Sequence, residues 1–109
     1  MDISEFQKKV LEAFSAMDAL PNRREHTKQS ALIHLVEEIG EIARQVTSEY
    51  HRPEKFDRKN LASELADTLM FIVVLADLYE IDLSSEMTAS IKRVRHKIDM
   101  LTSDKTTRR

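Results

Sequence analysis

Apolar side chains recur every three or four positions along most of this chain, the spacing of amphipathic helices rather than strands. Ile3, Phe6, Val10, Phe14 and Met17 predict a first helix from about Ser4 to Leu20, ended by Pro21. Ser4 and Gln7 have the spacing of a capping box. Residues 22–27 read as a polar, basic connection. A second helix is predicted from about Lys28 to Ser48, where Leu32, Leu35, Val36, Ile39, Ile42, Ala43 and Val46 fall on one broad arc. Glu38 lies at the edge of that arc, and His34, Glu41 and Gln45 just past it. Gly40 interrupts the helix at a cost of roughly 1 kcal/mol against alanine, as expected where another helix or a ligand approaches closely. Residues 49–59, with Pro53 and the basic Arg52, Lys55, Arg58 and Lys59, form a polar loop. Asn60 is the expected N-cap of a third helix running to about Glu80.

The third helix departs from the amphipathic pattern. From Leu69 to Ala76 it is apolar all round, which predicts burial on every side. Four helices can hardly enclose one of their own number, so a second subunit is the expected cover. Asp82 caps a fourth helix from Leu83 to about Leu101, with Met87, Ile91, Val94, Ile98 and Leu101 as its stripe. Its other faces carry Lys92, Arg93, Arg95, His96 and Lys97. Residues 103–109 lack apolar anchors and are expected to form a mobile tail. The reading is one all-α domain over residues 1–102, a four-helix bundle completed by oligomerisation into a homodimer or homotetramer.

Composition narrows the classes. One glycine and two prolines in 109 residues leave little material for hairpins. The net charge of −2 argues against a duplex-binding protein, whose footprint would be basic. The apolar run of the third helix is too short to span a bilayer. No cysteine is present, which removes disulfides and thiolate metal sites and fits a cytoplasmic protein. The N-terminus shows no secretory pattern.

The chemistry lies in two acidic pairs, Glu38-x-x-Glu41 and Glu64-x-x-Asp67. Residues three apart on a helix are neighbours on one face, so two facing helices would gather four carboxylates. Such crowding is costly unless a hard divalent cation offsets it. An all-oxygen set favours Mg²⁺, with Mn²⁺ as a substitute, over iron or zinc. A di-iron bundle would supply Glu-x-x-His from two helices, and neither pair here contains histidine. His34, one turn before Glu38, can reach the same region.

The segments HLVEEIGEIARQV and NLASELADTLMFIVVLADLYEIDL resemble the MazG-type nucleoside triphosphate pyrophosphohydrolases of the all-α NTP pyrophosphatase superfamily, the resemblance covering roughly residues 28–83. The resemblance implies Mg²⁺-dependent hydrolysis of a (d)NTP to (d)NMP and pyrophosphate, a role in nucleotide house-cleaning, and Glu38, Glu41, Glu64 and Asp67 as metal ligands. Glu38 is the expected proton acceptor, with Glu41 and Glu37 as alternatives. The family's fourth-helix lysine would fall near Ser90, and no asparagine stands in this helix. Phosphate contacts are therefore assigned to Lys92 and Arg95, and further substrate contacts to His34 and Glu37. Phe56, Phe71 and Tyr79 are the aromatic candidates for the base. The contrasting expectation is a non-catalytic helical dimerisation module on the same scaffold.

Overall fold

The computed structural model describes residues 1–22 and 26–107, with side chains to residue 103. Among these residues the chain is helical throughout, with no strand. Helix α1 spans Ile3–Asp18, α2 Lys28–His51 and α3 Arg58–Leu78. A single 3₁₀ turn, Pro53–Lys55, joins α2 to α3, and α4 spans Leu83–Thr107. The all-α reading holds.

The helix ends differ from the sequence reading where local acids outcompete the expected caps. Asp2, not Ser4, starts α1, accepting from the Glu5 N–H at 2.8 Å. Asp57 displaces Asn60 at the start of α3 and accepts from the N–H groups of Lys59 and Asn60. Asparagine and aspartate cap about equally well, so position decides, and Asn60 is left free to serve a side chain inside the helix. Thr27 and Ser30 cap each other reciprocally at α2. Asp82 caps α4 as expected, accepting from the Ser84 N–H at 3.0 Å and the Ser85 hydroxyl at 2.8 Å. Two ends run longer than predicted. Helix α2 continues three residues to His51, and α4 passes its predicted end at Leu101 to reach Thr107, so the segment expected as a tail is helical that far. Much of the connection after Pro21, residues 23–25, and residues 108–109 lie outside the described residues.

Helices α2 and α3 form an antiparallel hairpin. Late α2 meets early α3 where Gln45 accepts from the Asp57 N–H at 3.0 Å, and early α2 meets late α3 where His34 stacks on Phe71. Helix α1 packs against the C-terminal half of α3. Val10, Ala31, Val73 and Val74 form the core, with Phe6, Leu11, Phe14, Met70, Leu75, Leu78 and Leu83 packed round it. Helix α4 leans on α1 and otherwise projects. The radius of gyration is 18.6 Å, against about 13 Å for a compact domain of this length.

The predicted apolar arcs are only half used. Stepping about 100° per residue round α2, Leu32, Val36, Ile39, Ala43 and Val46 fall on one flank of the line that faces α3. On α3, Leu65, Leu69 and Ile72 form the matching flank. In an antiparallel pair both flanks lie on the same side of the hairpin, and α1 occupies the other. Val36 is 60% exposed, Leu65 53% and Leu69 40%. Helix α3 is therefore not enclosed by its own chain, as expected where four helices cannot surround one of their number. The stripe of α4, from Met87 to Leu101, is exposed as well. Gly40 also departs from expectation, because nothing lies within 4 Å of where its Cβ would stand. No close approach among the described residues accounts for it.

Candidate metal centre

The hairpin stacks its polar residues in rungs. Glu41 of α2 meets Glu64 of α3, Glu38 lies next to Asp67 one turn on, and His34 and Phe71 follow after another turn. Ala31 and Val74 close the series in the core. A helix face repeats every three to four residues, and both acidic pairs have that spacing, so the hairpin brings all four carboxylates into one electrostatic neighbourhood.

Glu64 is the most constrained of them. It is 8% exposed. Its Oε1 accepts from the Asn60 amide at 3.2 Å, while its Oε2 is buried without a partner. Burial raises its pKa first, and the charge and close carboxyl of Glu41 raise it further. The Asn60 hydrogen bond and the charge of Arg44 act in the opposite sense without reversing the direction. Thr68 donates to the Glu64 carbonyl at 2.7 Å and seals the backbone beneath the acid. Glu38 is half-buried. Burial raises its pKa, and the charges of Glu41, Asp67, Glu64 and Glu37 add to the effect.

A buried carboxylate oxygen with no donor is rare and costly. Either of two partners satisfies Glu64 Oε2: a proton shared with Glu41, or a cation. The donor set consists of carboxylate oxygens of mixed exposure, which fits Mg²⁺ or Mn²⁺. Among the described residues, no three histidine or acidic side chains close onto a common point as a finished ligand set. The acids converge along the rungs without forming a cage.

The sign of the pH response follows. A carboxyl whose folded-state pKa is raised holds its proton more tightly folded than unfolded. Its folded form is therefore favoured at low pH and loses stability as pH rises through the window from the ordinary glutamate value to the raised one. Metal-free protein should lose melting temperature across that window, and Mg²⁺ should restore it most strongly above the window. Asp67→Asn should flatten the loss by removing one of the charges that act on Glu38. Thermal scans with EDTA and with Mg²⁺ at several pH values check this, and a metal-free melting temperature that climbs through the window would contradict it.

Beyond the acids lies a cluster of rings that the sequence reading did not assemble. The His34 and Phe71 rings stack with centroids 5.2 Å apart and an interplanar angle of 17°. Phe14 meets Phe71 edge-on at 5.7 Å, and His26 meets Phe14 at 4.9 Å. Asp18 fixes His26 through an Nδ1 contact of 2.9 Å. Phe14 and His26 lie outside the acidic hairpin, and no spacing rule links α1 to it. Phe71 is partly buried, with Phe14, His26 and His34 around its ring.

The other expected substrate residues are dispersed. Glu37 is exposed, with Oε2 3.6 Å from His34 Nδ1. Lys92 and Arg95 are exposed on α4, whose packing is against α1, so one chain does not bring them to the acids. Tyr79 lies under the Lys28 ammonium at the far end of α3. Phe56 is half-buried beside the 3₁₀ turn.

A family model described as the MazG nucleotide pyrophosphohydrolase domain matches residues 26–101. An uncharacterized protein of Bacillus subtilis (strain 168), YpjD, is 35% identical over 81 residues, covering 72% of this chain and 69% of the relative. No solved structure matches the chain. The chain belongs to the MazG nucleotide pyrophosphohydrolase family.

Proposed function

We propose that this MazG-family chain hydrolyses a nucleoside triphosphate, ribo or deoxy, to its monophosphate and pyrophosphate, with Mg²⁺ held among Glu38, Glu41, Glu64 and Asp67. The observation that carries this reading is the unpartnered Glu64 Oε2, buried against Glu41, with Glu38 and Asp67 in the same electrostatic neighbourhood. Mn²⁺ is the expected substitute for Mg²⁺. When bound, the metal neutralises charge on the phosphates and on the pyrophosphate leaving group.

The chain's own residues would do the rest. A water attacks the α-phosphorus in line with the bridging oxygen to the β-phosphorus. The bond to that oxygen breaks and pyrophosphate leaves. Glu38 takes the water's proton. Its raised pKa brings it closer to the working pH than an ordinary glutamate, which suits a general base. Glu41, in contact with Glu64, is the alternative acceptor. The ring faces of His34 and Phe71, one turn beyond the Glu38 rung, suit a stacked base. Glu37 lies near His34, with Oε2 3.6 Å from Nδ1, and is the acid closest to that ring on its own helix.

Association fits the same reading. The uncovered flank of the hairpin exceeds the scattered apolar exposure usual in monomers, and a second copy covering it gives a homodimer or, with the α4 stripe also paired, a homotetramer. Lys92 and Arg95 reach a triphosphate in such an assembly if a neighbouring α4 lies over the groove. No described helix is long and apolar enough to cross a membrane. A cytoplasmic house-cleaning role, without nucleic-acid partners, completes the proposal.

Purified protein incubated with Mg²⁺ and a panel of common and modified triphosphates tests it. Stoichiometric pyrophosphate and monophosphate are expected. Orthophosphate alone would indicate a different phosphatase. No release with any substrate would favour the dimerisation module, which the exposed flank supports equally well.

A further inference from the structure

Along one flank of the hairpin three kinds of side chain follow in order. The rings of His34 and Phe71 come first, the acids of Glu38, Asp67, Glu41 and Glu64 next, and Arg44 last, one turn past Glu41. The rise from His34 to Arg44 along α2 is about 15 Å, comparable to an extended nucleoside triphosphate from base to terminal phosphate. Arg44 is exposed and, among the described residues, makes no hydrogen bond or ion pair, although Glu41 stands three positions before it on the same helix. Its charge nonetheless reaches Glu64. With Gly40, Ala43, Thr47, Ser48, His51 and Arg52 it borders an open groove of about 480 Å³ that belongs to α2 alone, centred on the side turned away from α3, so Arg44 stands between that groove and the acids. His51 and Arg52 stand at the C-terminal end of α2, where cations offset the helix dipole and need no ligand to explain them. Arg44, two turns earlier, has no such role.

We propose that Arg44 receives the terminal phosphates, so that the nucleotide lies with its base at the ring end and its triphosphate tail toward the C-terminus of α2. Arg44 is then the residue that separates triphosphates from monophosphates. A guanidinium offers a planar fork that matches phosphate oxygens in pairs, and a cation left unpaired beside an acidic rung is available to take them. This rests on the proposed reaction for the identity of the ligand, and on the order of residues along the flank for its direction.

Two measurements on Arg44→Gln test it: steady-state kinetics with a cleaved triphosphate, and calorimetric binding of inorganic tripolyphosphate with and without Mg²⁺. KM for the triphosphate and Kd for tripolyphosphate should each rise about tenfold or more, with kcat little changed and monophosphate affinity unaltered. Arg44→Lys should recover part of the loss, as a point charge without the fork. Unchanged tripolyphosphate binding, or an equal weakening of monophosphate, overturns the assignment, as does wild-type protein that binds no tripolyphosphate. If the wild type cleaves triphosphates and Arg44→Gln matches it, the reaction stands and the Arg44 assignment fails. If nothing is cleaved but tripolyphosphate binding depends on Arg44, the assignment stands and the reaction fails.

Discussion

Glu64→Gln should reduce pyrophosphate release roughly 100-fold or more while leaving the protein helical and, in EDTA, more stable than the wild type. The two halves of this result have one cause. Glu64 is buried against Glu41 with one oxygen unpartnered, and its carboxyl is pushed toward the protonated form by burial and by its neighbour. Glutamine keeps the shape and can still accept a hydrogen bond from Asn60. Its amide can donate to Glu41, so the repulsion and the orphaned oxygen both disappear. The same change removes a charged ligand from the proposed metal centre, and Mg²⁺ should no longer raise the melting temperature. A purely structural glutamate would give a different pair of results, with activity and stability moving together. Pyrophosphate release, circular dichroism and thermal scans with and without Mg²⁺ distinguish the two. Full activity in the variant would remove Glu64 from the site.

The acidic rungs were legible in the sequence because they depend only on local periodicity. Glu38 and Glu41 on one helix, and Glu64 and Asp67 on the next, need only a short connection and antiparallel packing to meet. The ring cluster was not legible, because Phe14 reaches Phe71 through the packing of α1, and His26 reaches it from just before the α2 cap, which no three- or four-residue spacing encodes. Helix existence was readable and helix ends were not. Asp57 and Asn60 are both good caps, and only the fold shows that Asn60 is wanted by Glu64. The apolar arc of α2 misled in a more instructive way. It predicted one buried stripe with Glu38 at its edge. The structure turns Ala31, Leu35, Glu38, Ile42 and Gln45 toward α3 and leaves Val36, Ile39 and Val46 outside. An arc wider than one helix contact has to be divided between two partners, and a single chain supplies only the first.

That division also explains why the acids tolerate their position. The line of α2 that faces α3 is mixed, apolar at the α1 end and polar toward the 3₁₀ turn. Burial by one partner helix alone leaves Glu38 and Asp67 half-exposed and Glu64 fully covered. The hairpin thus runs from a dry core at Ala31 and Val74, past the rings, to acids of mixed exposure. A group that must be desolvated, such as a base, suits the ring end. A group that carries several charges suits the other.

If the proposed assembly pairs the outer flanks, Val36→Glu should convert it to monomers and lower its melting temperature, although the side chain is largely exposed in its own chain. Val36 is 60% exposed on the outer flank of α2, and glutamate is at least as good a helix former, so the isolated fold has little to lose. In a two-fold assembly that pairs the outer flanks, the same substitution buries two new carboxylates, one from each copy. A central interface residue is commonly worth about 2 kcal/mol, and a two-fold contact counts it twice, so the dimer should weaken on the order of a thousandfold. Sedimentation and melting temperature over a range of protein concentrations read this directly. Glu12→Gln, on an exposed position of α1 away from that flank, serves as the control and should leave the mass unchanged. If the Val36→Glu protein keeps the mass and stability of the wild type, the outer flank is not the pairing surface. The exposed stripe of α4 would then be the remaining apolar face able to bring two copies together, because no other helix leaves a comparable one uncovered among the described residues.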